Sequence, residues 1–182
     1  MRKLTYDEIR SRRLTTEQMK SAERLPIIAV VDSVRSLYNV GSIFRTSDGA
    51  RVERLILTGF TPHPPRPEIE KTALGATQTV PWEYSRDPVP PIEALLARGV
   101  TVCALEITDA SIPYTEMPRS AFPLALVVGN EISGISKEIL NLASLAIEIP
   151  MAGMKQSLNV AVAYGIALFE LARICRAGTD HR

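Results

Sequence analysis

The sequence predicts an α/β fold, a mostly parallel sheet with helices on both faces. Three observations predict it. Short apolar runs alternate with helix-like stretches from residue 26 to residue 176, the pattern of successive β-α units. One run, Leu124-Ala125-Leu126-Val127-Val128, holds no polar residue, as expected for a strand covered on both faces. Polar, glycine-containing clusters follow three of the runs, and an open parallel sheet builds its binding crevice outside the carboxyl ends of its strands.

The elements follow in order. Residues 1–24 carry seven basic side chains against four acidic ones. Their apolar positions are too loosely spaced for an amphipathic stripe, so residues 1–25 read as a basic extension, a short helix or an arm. It is either a solvated tail or a contact for an acidic substrate. Residues 26–182 form the folded domain. Strands are expected at 27–32, 55–59, 79–84, 100–106, 124–128 and 145–149, and helices at 40–50, 68–76, 91–98, 136–142 and 158–176. Four prolines between residues 60 and 67 make that stretch a loop. Gly99 closes the third of these helices as its C′ residue. Ser133 or Ser136 caps the fourth and Ser157 the last. The last helix is apolar around nearly its whole girth, so it is expected to be heavily buried or to lie in a subunit interface.

Bulk composition narrows the function. The chain has 182 residues, 46% hydrophobic and 23% charged, with a formal net charge of +1. That supports one ordinary domain with a real core, and any nucleic-acid role must rest on a local basic patch. The amino terminus lacks an apolar signal region and no apolar run approaches bilayer length, so a cytoplasmic protein with no membrane association is expected. Cys103 and Cys175 read as reduced thiols within regular elements. The two histidines, His63 and His181, are not arranged as metal ligands, and no metal is expected. His63 lies in the proline-rich loop, a poor setting for a Ser-His-Asp device. Group transfer driven by positioning and electrostatics remains.

The three polar clusters are candidates for that chemistry. The first is Asn39-Val40-Gly41-Ser42-Ile43-Phe44-Arg45-Thr46. Arg45 there is a salt-bridge partner, or else a permanent charge with planar donors for phosphate or alkoxide. The second is Gly129-Asn130-Glu131-Ile132-Ser133-Gly134-Ile135-Ser136, a plain turn or a ligand cradle, and neither a dinucleotide fingerprint nor a Walker loop. The third is Ile149-Pro150-Met151-Ala152-Gly153-Met154-Lys155-Gln156-Ser157-Leu158-Asn159-Val160, where small residues allow close approach of backbone to a ligand.

Together and in this order, the clusters resemble the three motifs of the SpoU (TrmH-like) RNA 2′-O-ribose methyltransferases of the SPOUT superfamily, and the likeness extends over residues 26–176. The resemblance implies a deep C-terminal trefoil knot, S-adenosylmethionine as cofactor, a homodimer, and tRNA or rRNA as substrate. It implies a cofactor pocket of Leu105, Glu106, Gly129, Asn130, Ile149, Met151, Ser157 and Leu158. It makes Arg45 the catalytic arginine, offered across the dimer, with Asn39, Glu131, Ser157 and Asn159 orienting the groups around it. Many members carry a separate N-terminal RNA-binding domain, and here the 25-residue extension stands in that place. The alternative is a non-catalytic RNA-binding or assembly factor on the same fold.

Overall fold

The computed structural model describes residues 1–177, and His181 lies outside them. Two short helices open the chain, α1 (Tyr6–Arg10) and α2 (Thr16–Ser21). Each starts with a reciprocal capping box, Thr5 with Glu8 and Thr15 with Gln18, which satisfies two end N–H groups at each. The extension is therefore two capped turns. Its tail is anchored by Arg24, which donates to the carbonyls of Val52 (3.1 Å) and Thr79 (2.7 Å).

Seven strands follow: β1 (Leu25–Asp32), β2 (Val52–Thr58), β3 (Trp82–Ser85), β4 (Thr101–Leu105), β5 (Ile112–Pro113), β6 (Leu124–Val128) and β7 (Leu145–Glu148). They form one sheet in the order β3-β2-β1-β6-β4-β7-β5, and every pair is parallel. Among the described residues five further helices complete the fold: α3 (Leu37–Ala50), α4 (Pro67–Ala73), α5 (Val89–Ala97), α6 (Lys137–Leu142) and α7 (Val160–Arg176). Alternation along the central strands sorts the core into two layers. Ile27, Ala29, Val31, Leu55, Leu124 and Leu126 pack under α3, α4 and α7, while Ile28, Val30, Ile56, Ala125 and Val127 pack under α5 and α6. Helices thus cover both faces, as the sequence predicts.

The first three strands step outward to one edge and β4 then appears on the other side of β1, so the order reverses near β1 and β6. At such a reversal the loops at the carboxyl ends diverge and leave a crevice. Two packing details fix α3 beside it. A Cβ on Gly41 would overlap Thr72 Oγ1 and the Ile69 carbonyl, so only glycine lets α3 and α4 lie this close. Ser47 Oγ and the buried Tyr164 hydroxyl share a 2.6 Å hydrogen bond that ties α3 to α7.

The differences from the expected elements have physical causes. β2 begins at Val52 because Val52 and the half-exposed Arg54 pair with Leu25 and Ile28 of β1, with a register irregularity between the two pairs. The third strand is shorter than expected: residues 76–78 coil into a 3-10 turn, and the strand starts at Trp82, after Pro81. α3 starts three residues early, capped by Ser36 Oγ on Asn39 N. Ser136 stands at the cap position of α6 but makes no side-chain cap bond. Gly99 does take positive φ (74°) behind α5. The proline-rich loop holds His63 firmly against the Tyr84 ring, centroids 4.6 Å apart, and near Trp82. Cys103 is buried in β4, and burial pushes its thiol up to about 12. No described helix is long and apolar enough to cross a membrane.

Candidate active site

Three loops meet at the carboxyl edge, and Asp32, at the end of β1, fastens them. The residue is 1% exposed. It accepts from Thr58 Oγ1 (3.0 Å) after β2, Ser33 Oγ (3.3 Å) beside it and Ser136 N (2.9 Å) beyond β6. A buried carboxylate without a cation is tolerated when N–H and O–H donors surround it. Sequence reading passed over Asp32. The only signal was an acid ending a run of buried apolar residues.

The second loop is a tight turn. Asn130 and Gly134 exchange backbone hydrogen bonds of 2.9 and 3.0 Å, which puts Glu131 at the tip. The Asn130 side chain holds the turn in place. Its Nδ2 donates to Ser33 O (2.9 Å), and its Oδ1 accepts from Ile132 N (2.9 Å) and Ser133 N (3.0 Å).

From that tip a polar relay crosses the molecule. The Glu131 carboxylate accepts from Arg35 N (2.9 Å), Ser36 N (3.1 Å) and Asn39 Nδ2 (2.9 Å). Asn39 Oδ1 accepts from Asn159 Nδ2 (3.1 Å). Asn159 Oδ1 accepts from Ala161 N (3.0 Å) and Val162 N (3.3 Å). Both carboxamides have one allowed orientation: a carboxylate only accepts and helix N–H groups only donate, so each amide between them must pass the direction on. Asn159, not Ser157, is therefore the N-cap of α7, which starts at Val160. Ser157 is exposed and makes no hydrogen bond among the described residues. One chain thus brings together Asn39, Glu131 and Asn159 from three distant motifs.

Two opposed influences set the Glu131 acidity. Burial raises it, but the hydrogen bonds from Arg35 N, Asn39, its own backbone and Ser36 N together prevail, leaving the pKa below the ordinary value of 4.5. A depressed folded-state pKa adds stability that is present above the unfolded value and lost as pH falls through the folded one. Wild type is therefore expected to lose stability below about pH 4.5 more steeply than Glu131→Gln. Urea midpoints at pH 6 and pH 3.5 measure this, and parallel losses in both proteins would contradict it.

Beside the relay lies a cleft over the ends of β4, β6 and β7. It encloses about 640 Å³ of non-atom space, solvent at its mouth included. Leu105, Glu106, Gly129, Ile149, Met151, Ser157 and Leu158 line it, with Ile147 and Val160 as further apolar walls. Asn130, expected there, does not line it: its side chain is spent inside the turn. The Glu106 carboxylate at the lip accepts from Ile107 N (3.1 Å) and Ile135 N (3.2 Å). A largely apolar cleft with carboxylates at Glu106 and Glu148 in its lining, the latter held by Ser111 Oγ, suits a nucleoside, with a flat base between aliphatic walls and a sugar diol donating to an acid. The S-adenosyl group expected from the sequence fits such a lining.

Arg45 stands apart. It is exposed on α3, makes no hydrogen bond or ion pair among the described residues, and lines a separate depression with Arg13, Leu14, Met19 and Asp48. Within one chain the structure does not bring it to the relay or the cleft.

Residues 26–169 match the SpoU rRNA Methylase family. The chain belongs to the SpoU family. A tRNA (guanosine(18)-2′-O)-methyltransferase of Aquifex aeolicus is 36% identical over 151 residues, covering 81% of this chain and 69% of that SpoU relative. A 23S rRNA (guanosine-2′-O-)-methyltransferase of Ralstonia nicotianae is 32% identical over 159 residues, covering 86% of this chain but 62% of that one. This chain therefore spans under two thirds of the longer SpoU relatives. The crystal structure of the A. aeolicus TrmH/SpoU tRNA modifying enzyme superposes with a TM-score of 0.80 at 30% identity, covering 90% of this chain and 84% of that one. An AdoMet-bound rRNA methyltransferase from Sinorhizobium meliloti gives a TM-score of 0.73 at 29% identity, covering 85% and 59%.

Proposed function

We propose that this SpoU protein transfers the methyl group of S-adenosylmethionine to a ribose 2′-hydroxyl of tRNA or rRNA, as a cytoplasmic homodimer. The observation that carries the reading is the Glu131–Asn39–Asn159 relay beside a largely apolar cleft whose lining includes Gly129, Leu158 and Val160, their neighbours in sequence. When bound, the cofactor supplies an electrophilic sulfonium methyl. Leu105, Ile147 and Leu158 would hold its base, Glu106 would accept from its ribose, and Met151 and Ser157 would border the remainder.

The protein's own work is to bring a ribose hydroxyl into line and stabilise its oxygen as the proton leaves. Arg45 does the second. A guanidinium is a permanent cation and a poor base, so Arg45 donates to the developing alkoxide and to the adjoining phosphate, and the proton goes to water or phosphate. Glu131, Asn39 and Asn159 fix the loops around the reacting group, and Ser157, without a hydrogen-bond partner among the described residues, is available to the ribose. Because Arg45 lies outside its own chain's cleft, a second subunit must bring it. A surface for that subunit exists on α7, where Val162, Ile166 and Phe169 are 51%, 37% and 51% exposed at i, i+4, i+7 spacing. Burying such a stripe favours association. The C-terminal knot of the family belongs to this reading, in which the chain around α7, packed on the 3-10 turn Tyr114–Glu116, passes through the loop that turn belongs to. The basic extension and Arg45 share one depression. Phosphate contacts there make RNA binding weaken as salt rises.

The test uses methyl-labelled S-adenosylmethionine with unmodified bulk RNA. A methylated 2′-oxygen cannot attack its neighbouring phosphate, so the label is expected in alkali-resistant dinucleotides. Label in mononucleotide bases would overturn the ribose assignment. RNA binding without label would favour the assembly-factor reading.

A further inference from the structure

On the far side of the Glu131 turn is a second hollow, and nothing in the relay or the cleft uses it. Arg35, Leu37, Phe60, Pro62, Ile132 and Ser133 line it around the inward-turned Asn130, and it opens broadly to solvent. Its chemistry is unusual for a surface. Phe60 is 62% exposed and Ile132 81% exposed, and both stand beside a cation. The Arg35 backbone donates to Glu131 (2.9 Å), whereas its exposed guanidinium has no hydrogen bond or ion pair among the described residues. The turn of residues 129–134 is therefore a partition: Gly129 faces the cofactor cleft, and Ile132 and Ser133 face this recess.

The recess is held open by structure that does not move easily. Asn130 locks one wall through three hydrogen bonds. The other wall is the start of the proline-rich loop. Thr61 Oγ1 donates to Val31 O (2.9 Å) and accepts from Val34 N (3.1 Å), with Thr61 itself 2% exposed. Phe60 is thus displayed on an anchored residue pair, not on a free loop.

A ligand for this lining needs flat apolar faces and an acceptor-bearing edge. An unstacked nucleobase has both. Its faces stack on an aromatic ring, and its carbonyl and ring-nitrogen edge accepts from guanidinium. We propose that the recess receives the base of the nucleotide whose ribose is methylated, with Phe60 and Ile132 gripping its faces and Arg35 and Ser133 reading its edge. This rests on the ribose methyl transfer proposed above. It follows from position as well as lining: a base on one side of the turn leaves its sugar at the turn itself, next to Glu131 and the cleft. Enzymes acting on a nucleotide commonly extrude it from its stack into such a pocket.

Phe60→Ala, Phe60→Tyr and Ile132→Ser test the proposal, because these exposed side chains can be changed without opening the core. Methyl transfer to bulk RNA, RNA affinity by filter binding and S-adenosylmethionine affinity by calorimetry are measured for each. Phe60→Ala is expected to lower kcat/KM for RNA about tenfold to a hundredfold, the range for loss of one base–aromatic stack. Phe60→Tyr should stay within about twofold of wild type, since it keeps the ring, and cofactor affinity should not change in any variant. Wild-type kcat/KM in both Phe60→Ala and Ile132→Ser would overturn the recess while leaving the ribose reading intact. Label in the base with a Phe60 effect would overturn the ribose reading and keep the recess as a base site. If no label transfers at all, unchanged RNA affinity in Phe60→Ala overturns the recess.

Discussion

Arg45→Ala is expected to bind S-adenosylmethionine as wild type does and to lose methyl transfer about a hundredfold to a thousandfold, the effect of removing one preorganised donor from a developing oxyanion. The dissociation follows from where the residue sits. Arg45 is absent from its own chain's cleft and from the Glu131 relay, so its deletion leaves the proposed cofactor lining whole. Arg45→Lys keeps the charge but loses the planar fork and should recover part of the rate. The cross-subunit placement adds a sharper expectation. Mixing inactive Arg45→Ala with an inactive cleft variant such as Leu158→Arg, under conditions that exchange subunits, should restore activity in hybrids where one intact arginine meets one intact cleft. Single-turnover transfer in the mixture measures it. Mixtures as inactive as their components would mean that Arg45 serves no partner site, and comparable activity in Arg45→Ala alone would remove it from the chemistry.

How far the sequence revealed this site depended on which forces positioned each residue. The parallel sheet was legible because burial on both faces leaves its mark in Leu124–Val128 and in the central apolar run of β1. The start of β2 was not: Glu53 and Arg54 break the apolar run, while the pairing of Val52 and Arg54 with β1 is a backbone matter that side chains do not advertise. Asn39, Glu131 and Asn159 were marked by type and motif, and the structure supplies their connection, hydrogen bonds between residues 92 and 120 positions apart. Ser157 and Asn159 are both good caps on propensity, and local sequence did not separate them. The choice is settled at long range, because the Asn159 carboxamide can cap α7 with its oxygen and still donate to Asn39 with its nitrogen. Asp32 was overlooked for the same reason: its three donors come from separate loops. Arg45 is legible by motif alone, since its proposed target lies outside the single chain.

Glycine at 129 shows how one residue can suit two explanations that differ in their consequences. As a motif residue it suggested a backbone laid bare for the cofactor. The geometry gives a stronger reason: a Cβ at 129 would overlap the backbone of Gly134 and Ile135, the far strand of the turn that carries Glu131. No flexible side chain is there to yield, so Gly129→Ala must push the turn open. Overpacking against fixed backbone costs about 3 kcal/mol at the upper end of its usual range, which for a domain of this size lowers Tm by roughly 6–12 °C. The displaced turn would also shift Gly129 out of the cleft wall and pull Glu131 from the Arg35 and Ser36 amides. Cofactor affinity and methyl transfer should therefore fall together, in contrast to Arg45→Ala, where they separate. Gly153, in the third motif, is the control: a Cβ there meets nothing within 4 Å, and Gly153→Ala should leave Tm unchanged. Thermal unfolding and calorimetric cofactor titration of the two variants decide the matter. If Gly129→Ala melts with wild type yet still loses the cofactor, the glycine is there for the ligand and not for the turn.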